Sequence, residues 1–322
     1  MSDMVRVGAV TLASDETQGW DITNDGTYCY AVVHGMDMMV VKVRTSDMVR
    51  ISAVKVSGVS SGRAITNDGT YCYVTSVNVP VKIVKVRMSD MTHISTVTLA
   101  SGEDWSECIT NDGVHCYAGT GTSPGRVVKV RMSDMARISA VTLADGENTA
   151  QGITHDSVHC YMTTHTAPAR VVKVRMSDMT RISAVTLADG ENNAYAITHD
   201  GTHGYVAIST SPGRIVKVRT SDMVRISAVI LSSDMFENSP RSMVNDGIHC
   251  YALSHEINPA RVAKVRMSDM VRISGVILAD GEHSGHGITH DGVHCYIVTN
   301  TYPARVVKVL MGIRRRIMTA FI

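Results

Sequence analysis

Short runs of apolar, mostly β-branched residues alternate with polar turns along this chain. In one stretch, Val171–Arg175 precedes a Met-Ser-Asp-Met turn and Arg181–Leu187 follows it. Two further apolar segments, Ala196–Thr198 and His203–Ile208, lie on either side of a His-Asp-Gly turn. β-branched residues favour strands, and Asp-Gly favours a hairpin. We therefore predict four short strands per unit and almost no helix, because no segment shows a 3.6-residue apolar period.

The same unit recurs along the sequence. Seven copies of the tripeptide Ser-Asp-Met begin 43 to 47 residues apart, at Ser2, Ser46, Ser89, Ser133, Ser177, Ser221 and Ser268, and an eighth copy, at Ser233, falls outside this spacing. Four-stranded units of this length, repeated seven times, predict an all-β fold, a seven-bladed β-propeller with antiparallel blades. We expect a single propeller domain over residues 1–311, with about 44 residues per blade, and a C-terminal tail over residues 312–322.

One blade pattern carries a family resemblance. Ile197–Gly201 ends in Asp-Gly, and Gly204–Ala207 follows as a Tyr-Val strand. The unit resembles the blades of seven-bladed propellers of the YVTN/surface-layer and NHL-like group. That strand order implies that the N-terminal strand is the outermost strand of a blade whose other three strands are C-terminal. The expected seam joins Val5–Leu12 to Gly287–His290, His294–Thr299 and Arg305–Leu310, and it leaves no exposed edge at which the ring could open.

Composition narrows the possible partners. The chain has 31 Lys and Arg against 30 Asp and Glu, a net charge of +1, which argues against nucleic acid or a charged membrane surface as a partner. It contains no apolar run of 18 residues and no visible signal peptide. We therefore expect a cytoplasmic protein, with a lost leader as the alternative because the chain opens in mid-repeat. Six of the seven Cys recur in a Cys-Tyr pair, which we interpret as buried thiols in a reducing compartment.

Several polar residues are copied with the blade. One aspartate in each turn should cap that turn through backbone N–H groups; these are Asp25, Asp68, Asp112, Asp156, Asp200, Asp246 and Asp291. Most of the 14 His occupy repeated positions and are interpreted as structural. Recurring Lys and Arg, such as Lys129, Arg131 and Arg137, should form a basic belt on the outer strands.

The copies disagree at two positions. The first lies two residues before the inner-strand Ile: Trp20, Arg63, Glu107, Gln151, Tyr195, Arg241 and His286. The second follows the Tyr of the next strand by four residues: His34, Val77, Gly121, His165, Ser209, His255 and Asn300. Both should lie on the face around the channel mouth. Loops tolerate substitution, which favours drift as the explanation of this variation. The Ser-Asp-Met turn, taken to be exposed as well, hardly varies, and residues such as Trp, Tyr and Arg dominate binding sites, which favours recognition. We give the two explanations about equal weight.

Three functions follow as hypotheses. The first is a non-catalytic scaffold, without a cofactor, that binds a protein, a glycan or a small ligand at the mouth. Its expected contacts are Trp20, Arg63, Trp105, Glu107, Gln151, Tyr195, Arg241, His286, His34, His165, His255 and Asn300. The resemblance implies the second, a metal-assisted lyase or lactone hydrolase, whose ligands would come from His286, His165, His255 and Glu107. No metal-spacing motif supports it. The third hypothesis is a structural component that self-assembles. A binding scaffold, the first hypothesis, would instead be a monomer.

Overall fold

The computed structural model describes residues 4–35, 37–235, 237–255 and 257–312. Within these ranges the chain forms 28 strands in seven four-stranded antiparallel sheets, and no helix. No helix of these ranges could cross a membrane. The all-β, seven-bladed propeller is therefore confirmed. Nearly all of the expected tail, residues 313–322, lies outside the described residues.

Each blade contains four strands that run outward from the channel. The innermost strands are β2 (Thr17–Asn24), β6 (Gly62–Asn67), β10 (Cys108–Asn111), β14 (Ala150–His155), β18 (Ala194–His199), β22 (Pro240–Asn245) and β26 (Gly285–His290). The second strands are β3 (Tyr28–His34), β7 (Tyr71–Ser76), β11 (His115–Gly119), β15 (His159–Thr164), β19 (His203–Ile208), β23 (His249–Ser254) and β27 (His294–Thr299). The third strands are β4 (Met38–Arg44), β8 (Lys82–Arg87), β12 (Arg126–Arg131), β16 (Arg170–Arg175), β20 (Arg214–Arg219), β24 (Arg261–Arg266) and β28 (Arg305–Leu310). The outer strands are β5 (Val49–Val56), β9 (Thr92–Thr98), β13 (Ala136–Thr142), β17 (Thr180–Thr186), β21 (Val224–Ile230), β25 (Val271–Ile277) and β1 (Val5–Thr11).

The blades form a closed ring. Each innermost strand contacts the innermost strand of the next blade, and β26 contacts β2. In one blade, β1 pairs antiparallel with β28, from Val5 opposite Leu310 to Thr11 opposite Arg305. The first and last strands of the described chain therefore belong to one sheet.

The turn aspartates make the same contacts in every blade. The Asp112 carboxylate accepts the N–H groups of Val114 and His115 at 2.8 and 2.6 Å, and the hydroxyl of Tyr117 at 2.8 Å. The Tyr at this position is 1% exposed in all seven blades. Its buried hydroxyl thus has a charged acceptor, and the aspartate stabilises the turn as the sequence predicts.

The repeated lysines do not form an exposed belt, which corrects that part of the sequence interpretation. Lys129 is 8% exposed, and its Nζ donates to the Met176 carbonyl of the neighbouring blade at 2.8 Å. All seven blades repeat this hydrogen bond between neighbours, which we call the lysine tie. Lys308 completes the circle with a 2.7 Å bond to the Thr45 carbonyl. The lysine stems pack between blades while each ammonium group meets a backbone acceptor.

Six blades also share a buried ion pair. The Glu103 side chain has no solvent exposure and binds Arg137 of its own blade through two hydrogen bonds. It also accepts the Ala100 N–H at 2.8 Å. The blade of β6–β9 has Val59 where the others have Glu, and His93 where they have Arg. The two partners are therefore lost together in the one blade that lacks the pair.

The Ser-Asp-Met turn is not simply exposed, contrary to the sequence interpretation. Met135 has a positive φ of 55° and is 5% exposed, so its side chain closes the edge of the core. Asp134 pairs with Arg131 at 2.6 Å. Packing and pairing explain why this turn hardly varies. Its constancy is therefore no evidence that the variation at the channel mouth reflects recognition.

Candidate functional site

A backbone irregularity turns the first set of variable residues toward the channel. In β2 the pairing register with β3 shifts between Thr17 and Gly19 and again between Gly19 and Asp21, and the second shift skips Trp20. In β14, β18, β22 and β26 the register likewise skips one residue, which is Gln151, Tyr195, Arg241 and His286. A bulged residue is left out of the ladder and its side chain is re-aimed. The variable position is therefore the bulge of most innermost strands.

The seven variable side chains line one cavity. Trp20, Arg63, Glu107, Gln151, Tyr195, Arg241 and His286 surround a volume of about 150 Å³ at the end of the channel where the innermost strands begin. Arg63 retains 21% and Glu107 16% of its side-chain exposure, so solvent reaches the cavity. The structure thus brings together one residue from every blade.

Trp20 lies at the centre of these contacts. The Arg63 guanidinium stacks 3.6 Å from the Trp20 ring centroid, and the Arg241 guanidinium lies 5.5 Å from it. Arg241 also lies 5.0 Å from the centroid of Tyr195. Aromatic faces attract cations, which explains how two guanidinium groups are held in one cavity.

The positive charge of the cavity is only partly balanced. Arg63 Nε lies 3.7 Å from Glu107 Oε1, an ion pair that is too long for a hydrogen bond. Burial lowers the pKa of Arg63; Glu107 opposes this shift and Arg241 adds to it. Among the described residues, Arg241 makes no ion pair.

His286 is the most buried member of the set, with 5% exposure. Its ring meets the Trp20 ring at 4.5 Å and the His255 ring at 4.3 Å, both edge-on. Burial, followed by Arg241 and His255, holds the pKa of His286 well below its usual range. Burial and Arg241 also lower the pKa of His255 to about 4. Both rings are therefore neutral at pH 7.

Asp21, beside the bulge, was missed by the sequence interpretation. Asp21 lines the cavity, and its carboxylate accepts the N–H groups of Ile22 and Ile65, both at 2.9 Å. Burial raises the pKa of Asp21 to about 7, although both hydrogen bonds oppose the shift. The other blades carry small residues here: Ala64, Cys108, Gly152, Ala196, Ser242 and Gly287. A Cβ on Gly287 would lie 2.6 Å from the Asp21 Cα, so neighbouring innermost strands approach too closely for large side chains.

The second set of variable residues lies at the same end but is not gathered in the cavity. His255 contacts His286, Asn300 binds the His286 ring, and His165 lies 5.3 Å from Tyr195. His34 instead binds the Ser61 hydroxyl in a separate groove. Trp105 is 57% exposed and does not line the cavity.

The residues proposed for a metal do not converge. Glu107 pairs with Arg63, and His165 lies against Tyr195, which leaves His255 and His286 in mutual contact. In the described part of the chain, no three His, Cys, Asp or Glu side chains are placed to hold a metal ion.

One cysteine lines the cavity. Cys108 is 5% exposed, and burial raises the pKa of its thiol to about 12. Since the thiolate is the reactive form, this protonated thiol is a poor nucleophile at neutral pH. All seven cysteines are free and buried, and for the six in the repeated Cys-Tyr pair this burial was expected from the sequence.

Comparisons with known proteins identify the fold and nothing finer. No family profile and no curated protein matches the sequence. Among 1789 matching chains of solved structures is the hydrazine synthase of Kuenenia stuttgartiensis. It shares 14% sequence identity with a TM-score of 0.76, over 92% of this chain and 97% of that one. So low an identity shows a shared architecture only, and propellers host unrelated functions. This chain is therefore similar in fold to a propeller of hydrazine synthase.

Proposed function

We propose that this protein is a non-catalytic binding protein that holds a small molecule in the cavity at one end of its channel. One observation carries the proposal: the bulged position varies among seven otherwise similar blades, and all seven of its residues line a single cavity. Repeated structure explains the constant positions, but it does not explain why Trp, Arg, Tyr and His meet at this one.

Size favours a small ligand over a protein or a glycan. A cavity of about 150 Å³ is as large as one that accepts benzene, and much larger than a single water needs. Trp105, the large aromatic that would suit a broad surface contact, lies outside it.

The two tryptophans allow a direct test, because Trp20 lines the cavity and Trp105 does not. In Trp105→Phe, the remaining indole reports on the cavity. In Trp20→Phe, the matched control, the remaining indole reports on the surface. A panel of small anions, cations and neutral molecules should contain a compound that saturably changes the emission of the first variant and not of the second. Equal responses of the two variants, or no response to any class, would contradict the proposal.

A further inference from the structure

We infer that the ligand of this cavity is a small oxyanion, a carboxylate or a phosphate group, an inference that rests on the proposed function. The argument starts from hydrogen-bonding groups that the folded chain leaves unsatisfied. In the described ranges, three residues that line the cavity each carry a buried nitrogen without a hydrogen-bond partner: Trp20 Nε1, Arg63 Nε and His286 Nδ1.

All three of these atoms are donors. The indole and guanidinium N–H groups can only donate. The Asn300 amide nitrogen lies 3.1 Å from His286 Nε2, and because an amide nitrogen donates, Nε2 is the acceptor. The proton of the neutral ring therefore lies on Nδ1. The cavity has an excess of donors, and their missing partner is an acceptor.

Charge points the same way. The cavity contains two guanidinium groups, Arg63 and Arg241, whereas Glu107 is its one carboxylate with a neighbouring cation. The second carboxyl, Asp21, already accepts two backbone N–H groups. An anion with several acceptor oxygens would satisfy the donors and neutralise the second guanidinium. A cation would meet two like charges at short range.

The burial of these donors strengthens the case for a bound acceptor. A buried donor without a partner costs free energy in the unliganded protein, so such groups are rare unless something else binds them. Some repeated cations elsewhere have fixed partners, as Lys129 has Met176 and Arg137 has Glu103. Buried nitrogens without a hydrogen-bond partner also occur outside the cavity, for example Arg214 Nε and His199 Nε2. What sets the cavity apart in the described ranges is that three such nitrogens, one of them on His286 with its 5% exposure, belong to residues that line one space together with two guanidinium groups.

The experiment uses Trp105→Phe protein and probes matched in shape. Sodium acetate is compared with acetamide, its neutral counterpart, and with tetramethylammonium chloride, all at equal ionic strength. Sodium phosphate forms a second arm, which distinguishes a phosphate from a carboxylate ligand. We expect acetate or phosphate to bind with a saturable change in Trp20 emission, and acetamide and tetramethylammonium to bind at least tenfold more weakly.

Variants then locate the site. Arg241→Gln should weaken oxyanion binding about tenfold to a hundredfold, because a charge-assisted bond is lost. Arg131→Gln is the control, since that arginine pairs with the exposed Asp134, and it should stay within about twofold. Unchanged affinity in Arg241→Gln would overturn the inference. Tighter binding of acetamide or tetramethylammonium would overturn it too, yet leave the proposed function standing. No response to any probe would contradict both.

Discussion

The two ends of the innermost strands differ in how far the seven blades agree. At the end where each strand leads into its Asp turn, the carboxylate accepts two backbone N–H groups and a tyrosine hydroxyl, as Asp112 does with Tyr117. At the other end, the seven equivalent residues are of six different types and include donors without partners, such as His286 Nδ1. Polar groups that are satisfied and copied stabilise the ring, whereas groups that vary and lack partners are available to a ligand. This contrast predicts opposite effects of substitution at the two kinds of position.

The largest loss of stability is expected where one residue of the repeated buried ion pair is replaced and the other charge is left without a partner. Arg137→Met would leave the fully buried Glu103 without its cation and should lower the free energy of unfolding by about 3 to 5 kcal/mol. Urea denaturation measures this loss. The double variant Glu103→Val/Arg137→His copies Val59 and His93 of the β6–β9 blade and should recover most of the stability. A single variant that loses less than about 1 kcal/mol would show that the pair is not structural.

The turn aspartates should come next. Asp112→Ala removes the acceptor of two N–H groups and of the buried Tyr117 hydroxyl, so we expect a loss of about 2 to 4 kcal/mol in thermal or urea unfolding. The cavity lies at the other end of the innermost strands, so affinity for acetate or phosphate should be unchanged at a temperature where the variant is folded. A selective loss of affinity would mean that the two ends are coupled.

The contribution of Asp21, at the variable end of the innermost strands, can be measured through the pH dependence of stability. Its pKa, raised by burial to about 7, lies above that of an aspartate in the unfolded chain. The folded protein therefore binds this proton more tightly between about pH 4 and 7, and Asp21 costs stability as pH rises through that window. Relative to wild type, Asp21→Asn should gain on the order of 4 kcal/mol between these pH values, because each pKa unit corresponds to about 1.4 kcal/mol. Parallel pH profiles of the two proteins would contradict the assigned burial of this carboxyl.

The smallest expected change in stability is a gain, opposite in sign to the losses expected at the residues that repeat in every blade. His286→Leu removes the buried Nδ1 donor that has no partner, and half-buried Asn300, which loses Nε2 as its acceptor, can bond to solvent instead. Unliganded protein should therefore become more stable, by at most about 1 kcal/mol, in thermal unfolding. Oxyanion affinity should fall in the same variant. A clear loss of stability would place His286 among the structural residues instead.

Much of the fold could be predicted from the sequence, because the repeated units show where each set of four strands begins and ends. The spacing of Ser-Asp-Met predicted seven blades, and the strands β19, β27 and β28 lie where the pattern places them. The repeated lysines were wrongly predicted to be exposed, because charged residues that alternate with valines suggest a strand with one exposed face. Only the packing of neighbouring blades shows that Lys129 reaches a carbonyl between them.

The candidate site was predictable as a set of positions and not as a geometry. Comparing the copies identified the position of Trp20, Arg63 and Arg241, since six residue types occupy its seven copies. The bulge that aims them inward depends on strand register, which local sequence does not state. Trp105, predicted to lie at the same mouth, has a positive φ of 54° in a loop and lies outside the cavity, a placement that the sequence does not state. Asp21 did leave a signal that was overlooked: one charged residue in a column of small ones.

The circle of lysine ties has a consequence for how the protein unfolds. Every blade donates one such bond and accepts one, including the blade of β1 and β28, from which Lys308 reaches Thr45. Linear repeat arrays have terminal units with a single neighbour, and these units fray first. A ring in which each unit has two neighbours offers no such weak end, so separation of any one blade breaks bonds on both of its sides. We therefore expect denaturation to be a single cooperative transition rather than progressive loss from one terminus.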